Sequence, residues 1–270
     1  MPDWLAVIIL GIVEGITEFL PISSTGHLIL ANALLPGETV GELFIVVVQG
    51  GAVMAVLAVF RERIVQLFRT RAENETRDYL KKFIFSLIIT GFCGLGLKLA
   101  GWELDAANIT AVAAALLVGG ILFLIVEQKI SDKDEETSDA LPHITWAIAL
   151  FVAIAQLAAA VFPGLSRSGA AILACLVLGL SRRASVEFSF LLGVPTLLGA
   201  AALELAMAQR DGQLNSLHVP HLVLGTAVGA LTAFLAVRWL LGYLRTHTFI
   251  AFGWYRIVLG AAILTWVISR

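Results

Sequence analysis

Charge is what this 270-residue chain has least of: Asp, Glu, Lys and Arg make up 14% of it, against 59% hydrophobic residues and a mean hydropathy of +0.92. Soluble domains carry about 25% charged residues, so the shortfall excludes an ordinary water-soluble globule. A surplus of positive charge is missing too. The net charge is −2, and no nucleic-acid footprint is present. Cysteine is nearly absent: Cys93 and Cys175 lie in apolar segments without metal-ligand spacing, which leaves packing as their role. The first residues lack the basic stretch of a signal peptide, and the first apolar run contains two Glu, so no cleaved signal is expected.

What is present is long apolar sequence. Residues 43–60, 106–126 and 144–162 approach or reach the roughly 20 residues of a spanning helix, and one core cannot hide so many. The chain therefore reads as an all-α polytopic membrane protein. Two apolar stretches are broken. Residues 4–36 are interrupted by Pro21, Gly26 and a polar cluster, where two crossings and a turn need about 40 residues. A re-entrant hairpin fits better, because irregular backbone is tolerated at membrane depth only inside protein or beside a water-filled cavity. Residues 144–180 repeat the anomaly around "FPGLSRSG".

Residues 61–82 hold seven of the eighteen Lys and Arg and read as cytoplasmic. From there 83–102 crosses outward, "ELDAAN" turns, and 106–126 returns. Arg182 and Arg183 follow the second hairpin on the inside, and 186–206, 221–242 and 254–268 complete six transmembrane helices. Trp254, Tyr255 and Trp266 suit the interfacial belts. The first hairpin then enters from outside and the second from inside, each followed by three spans of opposite sense. That is an inverted-topology repeat, with a site near the midplane where the broken elements meet. The chain is expected to be a single membrane domain over 1–270, with repeat one at about 1–126 and repeat two at about 144–270. An acidic cytoplasmic loop, 127–143, joins them. "FLPISSTGHLIL" (19–30) resembles "FPGLSRSGAAIL" (162–173) with one residue extra after the proline, so that Ser23-Ser24-Thr25-Gly26 matches Ser166-Arg167-Ser168-Gly169. Seven residues before each proline stands a polar group, Glu14 or Gln156.

Glu14 and Glu18 share a helical face one turn apart. A charged side chain at membrane depth costs about 2.5–3.5 kcal/mol, and such groups default to function. Two carboxylates repel unless a cation neutralises them, and a divalent ion such as Mg²⁺ or Ca²⁺ suits their hard oxygens. The plainer reading is a pair of protonated carboxyls bonding backbone. Ser23, Ser24, Thr25 and His27 follow. Ser23 and Thr25 also read as partners for backbone freed near Pro21, whereas an imidazole so close to two carboxylates is suited to act as base, acid or nucleophile. In "PGLSRSG", Arg167 binds phosphate bidentately, and Ser166, Ser168 and the flexible Gly164 and Gly169 build an anion nest at a helix start. Arg167 is equally suited to pair with Glu14 or Glu18. Gln49, Glu187 and Arg238 are further polar residues in or beside spans. Glu187 is expected either to pair with Arg182 or Arg183 or to serve function. Carboxylates with hydroxyl and imidazole on one hairpin, and an anion clamp on the other, make a phosphoryl-transfer site.

"EGITEFLPISSTGHL" and "PGLSRSG", together with "FIVVVQGGAV" and "EFSFLLGVP", resemble the undecaprenyl-diphosphate phosphatase family of the bacitracin-resistance type, in order and over nearly the whole chain. The resemblance implies an integral bacterial inner-membrane enzyme that removes the terminal phosphate of undecaprenyl diphosphate, recycling the lipid carrier of cell-wall synthesis. It also implies a divalent cation, a site open to the periplasm and a homodimer. By motif, Glu14 and Glu18 are the acidic pair, Ser24 and His27 the nucleophile region, and Arg167 the phosphate-binding arginine flanked by Ser166 and Ser168. Ala171 departs from the family's frequent Thr. The expected mechanism has the metal on Glu18 and Glu14, with Ser24 attacking and His27 as its base, or His27 attacking itself. The rival is a transporter of the polyprenyl phosphate lipid, which needs an anion clamp but no nucleophile.

Overall fold

The computed structural model describes residues 3–35, 42–102, 108–130, 141, 143–212 and 218–269. Among them are eleven α-helices and no strand: α1 (Asp3–Thr17), α2 (Ser24–Leu34), α3 (Glu42–Val59), α4 (Arg61–Arg69), α5 (Asn74–Leu99), α6 (Ile109–Glu127), α7 (Trp146–Val161), α8 (Arg167–Val177), α9 (Arg182–Arg210), α10 (Val219–Tyr243) and α11 (Ile250–Ile268). Side-chain caps start many of them, as the scarcity of soluble backbone partners demands. Asn108 accepts from the Ala111 amide at 3.1 Å, Thr145 from Ile148 at 3.1 Å and Ser181 from Ala184 at 3.3 Å.

Five helices, α5, α6, α9, α10 and α11, are long and apolar enough to cross a membrane. A sixth is counted if α3 and α4, bent by 65° at Phe60, form one span. These six coincide with the six apolar runs of the sequence. The outward surface confirms the solvent. Ile84, Ile88, Phe92, Leu95 and Leu99 line one exposed face of α5 at helical spacing, an apolar stripe that only lipid tolerates on the outside. Cys93, expected to pack, lies on the exposed surface of α5, whereas Cys175 is buried.

The helices of the two broken stretches are short: α1 and α7 have 15 and 16 residues, and α2 and α8 have 11 each. None reaches the roughly 20 residues of a crossing. Helix α1 packs on α2, α3 and α10, and α7 on α8 and α5. In the same way α3 and α9 meet centrally, and α6 runs against α11. Close approach depends on small residues. A Cβ at Gly15 of α1 would lie 2.5 Å from the Gly229 carbonyl oxygen of α10. The basic cluster over 61–82 forms α4 and the first turns of α5. Helix α4 has no buried residue and sets Arg61 and Arg69 among Val65 and Phe68, the composition of a helix lying in an interface. Residues 103–107 of the "ELDAAN" turn and most of the acidic loop fall outside the described residues.

Candidate active site

The two short-helix pairs meet at their turns. Each second helix begins at a serine that bends the chain through a left-handed conformation: Ser23 has φ 71° and Ser166 φ 70°. Non-glycine residues in such backbone cost about 1–3 kcal/mol and collect at functional sites. Both serines cap their helix identically. Ser23 Oγ accepts from the Gly26 amide at 3.4 Å, and Ser166 Oγ from the Gly169 amide at 3.1 Å. The first residue of α2 is therefore Ser24, and that of α8 is Arg167. Both side chains stand at helix N-termini, where the dipole favours an anion. Gly164, at φ +96°, has no room for a Cβ, which would sit 2.4 Å from the Val112 carbonyl oxygen.

Glu18 joins the two starts. Its Oε2 accepts from Ser24 Oγ at 2.7 Å, and its Oε1 accepts from Arg167 Nη2 at 2.9 Å. The carboxylate is buried, while the Arg167 side chain keeps 20% of its exposure. Arg167 lies along α9. Its Nη1 donates to Thr196 Oγ1 at 3.4 Å, and a Cβ at Gly193 would come within 2.4 Å of that nitrogen. Ser168 Oγ donates to the Glu18 and Leu20 carbonyls at 3.2 and 3.3 Å, fastening α8 to the first turn. Ser23, Ser166, Ser168 and Gly169 are buried, and their polar groups serve these contacts. Thr25 is half-buried and forms no side-chain hydrogen bond among the described residues.

His27 points elsewhere. Its Nδ1 lies 2.7 Å from the Ser23 carbonyl, and its Nε2 lies 2.6 Å from the Tyr255 hydroxyl of α11. Neither Ser24 nor Glu18 is its hydrogen-bond partner. The expected Ser24–His27 pair is thus replaced here by Ser24–Glu18. Tyr255, expected as a belt residue, reaches into the site.

Next to it stands a residue that sequence reading passed over. Arg256 is completely buried. Its guanidinium donates to the carbonyls of Pro21 (3.2 Å) in the first turn and of Gly164 and Leu165 (3.1 and 2.8 Å) in the second. Two carbonyls of α6, Ala115 and Leu116, complete the set at 3.3 and 3.4 Å. One side chain thereby fixes both turns against the middle of α6. An arginine inside an apolar run was the signal available, since intramembrane charge defaults to function.

Glu14 is different again. Both carboxylate oxygens are buried without a hydrogen-bond partner among the described residues, and Glu18, Gln49 and Arg167 are its electrostatic neighbours. A buried unpartnered carboxylate beside a second one fits a hard divalent cation. Among the described residues no group of three or more His, Cys, Asp or Glu converges. The protein therefore offers Glu14 and the remaining lone pairs of Glu18, with the Gln49 side chain beside them. Mg²⁺ characteristically takes one or two carboxylates and fills its shell with water and substrate phosphate.

Glu187 takes neither expected partner. It pairs with Arg63 of α4, Nε to Oε1 at 2.7 Å. Arg182 is held by Glu127, Nη2 to Oε2 at 2.7 Å, with the Phe249 amide donating to Glu127 Oε1 at 2.8 Å. Arg238 is exposed over the Phe234 ring. These groups lie outside the Ser24–Glu18–Arg167 centre.

Fold and site together define a multi-pass helical membrane protein with a serine–carboxylate–arginine centre between two helix N-termini, the equipment of a protein that handles phosphate groups. The chain belongs to the bacitracin resistance protein BacA family, whose model matches residues 7–262. It is 42% identical over 265 aligned positions to the undecaprenyl-diphosphatase of Rhizobium etli, covering 97% of this chain and 96% of that protein. It is 41% identical over 270 positions to the undecaprenyl-diphosphatase of Xylella fastidiosa strain 9a5c, covering 99% and 100%. To that of Xanthomonas oryzae pv. oryzae strain PXO99A it is 38% identical over 271 positions, covering 99% and 98%.

Proposed function

We propose that this protein hydrolyses undecaprenyl diphosphate to undecaprenyl phosphate and phosphate, recycling the lipid carrier of cell-wall synthesis and conferring bacitracin resistance. The observation that carries the reading is Glu18, which binds the Ser24 hydroxyl through one oxygen and Arg167 through the other. A nucleophile, its base and an anion clamp are thereby in contact. A transporter of the polyprenyl phosphate needs the clamp but has no use for a serine hydroxyl held on a carboxylate.

Ser24 Oγ attacks the terminal phosphorus and its proton passes to Glu18 Oε2. Undecaprenyl phosphate departs, and hydrolysis of the phosphoserine completes the turnover. Arg167 exchanges part of its bond to Glu18 for the phosphoryl oxygens, and the α2 and α8 N-termini stabilise the same charge. Ser23, Ser166, Ser168 and Gly169 hold those N-termini in place, with Thr25 at their edge. A divalent cation, Mg²⁺ or Ca²⁺, would be held by Glu14 and Glu18 and would neutralise the diphosphate. Serine is favoured over His27 as nucleophile because both imidazole nitrogens are engaged away from Ser24.

The short α1–α2 and α7–α8 pairs are re-entrant hairpins, and with six spans they form the two halves of an inverted repeat in one membrane domain. The identical caps at Ser23 and Ser166 support this pairing. The basic segment after α3 lies in the cytoplasm, the site opens to the periplasm of the inner membrane, and the protein is a homodimer. Phosphate release from undecaprenyl diphosphate by purified protein with Mg²⁺ or Ca²⁺ tests the reading. Turnover is expected in wild type and lost in Glu18→Gln and Arg167→Ala. No release by wild type, or undiminished release by either variant, overturns it.

A further inference from the structure

His27 and Tyr255 form a pair whose polarity follows from elementary hydrogen-bond chemistry. The Ser23 carbonyl only accepts, so the His27 Nδ1 lying 2.7 Å away carries a proton. A neutral imidazole then has its lone pair on Nε2, and the Tyr255 hydroxyl 2.6 Å from it is the donor. The rings lie parallel, 2° apart with centroids separated by 5.6 Å. Ser23 is buried, whereas Tyr255 is 45% exposed, so the chain of bonds runs from a buried carbonyl through His27 to a partly exposed phenol of α11. His27 sits one helical turn beyond Ser24 on the same face of α2. With its proton given inward, the phenol oxygen has lone pairs free to accept from a water.

We infer that Tyr255 and His27 are the base of the second half-reaction, the attack of water on phosphorylated Ser24; this rests on the phosphatase reading above. The water oxygen bonds to phosphorus while its proton moves to the Tyr255 oxygen. The Tyr255 proton moves in the same step to His27 Nε2, giving the imidazolium. The P–Oγ bond breaks, and Ser24 recovers the proton that Glu18 took in the first half-reaction. Loss of the Nε2 proton to released phosphate restores the starting tautomer. The two halves of the reaction thus use different bases: Glu18 to make the phosphoserine and the Tyr255–His27 pair to break it.

Tyr255→Phe keeps the ring and removes the relay. Rapid-quench kinetics on undecaprenyl diphosphate should show kcat down about tenfold, the equivalent of one hydrogen bond of about 1.4 kcal/mol. KM falls in parallel, so kcat/KM changes by less than about twofold, because the first half-reaction is untouched. A burst appears, and phosphoserine accumulates on the protein. His27→Asn gives the same pattern, and the double variant is no slower than His27→Asn alone. A loss of kcat/KM equal to that of kcat, no accumulated phosphoserine, or multiplied losses in the double variant would overturn the inference. So would ¹⁵N resonances of wild-type protein that place the His27 proton on Nε2, a measurement that needs neither variant nor turnover. Wild type without any turnover would instead sink the phosphatase reading itself and leave the tautomer result standing.

Discussion

Gly193→Ala isolates the arginine clamp without touching it chemically. The added Cβ would lie 2.4 Å from Arg167 Nη1 and 3.3 Å from Cζ and Nη2. Ordinary contact between such atoms is about 3.5 Å, so the guanidinium must retreat by about 1 Å. Its Nη2 now stands 2.9 Å from Glu18 Oε1, and that retreat breaks the bond. A misplacement of about 1 Å costs on the order of 10²-fold in rate. Arg167 is long and partly exposed, so the fold yields cheaply, and alanine favours the helix by up to about 1 kcal/mol over glycine. The expected signature is therefore kcat/KM down about 100-fold with a thermal midpoint unchanged or raised. Phosphate release in detergent micelles and a melting scan on the same preparation read both. Gly199→Ala, on the same helix with nothing within 4 Å of its added Cβ, is the matched control and should keep full activity. Activity of Gly193→Ala within about twofold of wild type, or an equal loss in the control, would refute the reasoning.

Arg256→Met removes the donor from five carbonyls and should lower stability by at least about 3 kcal/mol, read as a lower melting temperature; an unchanged midpoint would deny the pin between the two turns. Glu127→Gln breaks the buried Arg182–Glu127 ion pair and should cost about 3–5 kcal/mol, while kcat/KM of the folded fraction is preserved. Chelation with EDTA should abolish turnover and added Mg²⁺ or Ca²⁺ restore it. Glu14→Gln should remove turnover and divalent-cation binding by calorimetry without lowering the midpoint, because it also relieves the like-charge repulsion with Glu18.

Hydropathy made the membrane-capable helices legible, since each is a run whose transfer free energy leaves no other place for it. The breaks at Pro21 and Pro163 were legible for the same reason. Serine, glycine and proline inside an apolar run announce backbone that needs partners. The joining of Glu18 to Arg167, 149 residues apart, was open to inference only because two opposite charges in lipid must meet. Other contacts left no such mark. Helix α4 is nine residues of mixed charge, too short and polar to be told from a loop. Glu187 passes over its sequence neighbours Arg182 and Arg183 for Arg63, 124 residues away, because α9 turns that face toward α4. The meaning of Arg256 lies in carbonyls from two turns and α6, groups every sequence has and none displays. Tyr255 was indistinguishable from an interfacial aromatic until its hydroxyl was seen against His27. The base for Ser24 likewise depended on rotamers: His27 is nearer to it in sequence than Glu18, and only the fold directs the hydroxyl to the carboxylate.

The most direct measurement is to follow labelled phosphate from the substrate onto the protein. Quenching wild-type enzyme during turnover of undecaprenyl diphosphate carrying ³²P at the terminal position should trap an acid-stable, base-labile label on Ser24, absent from Ser24→Ala. An acid-labile label on His27, or full turnover by Ser24→Ala, would contradict the serine–carboxylate–arginine centre.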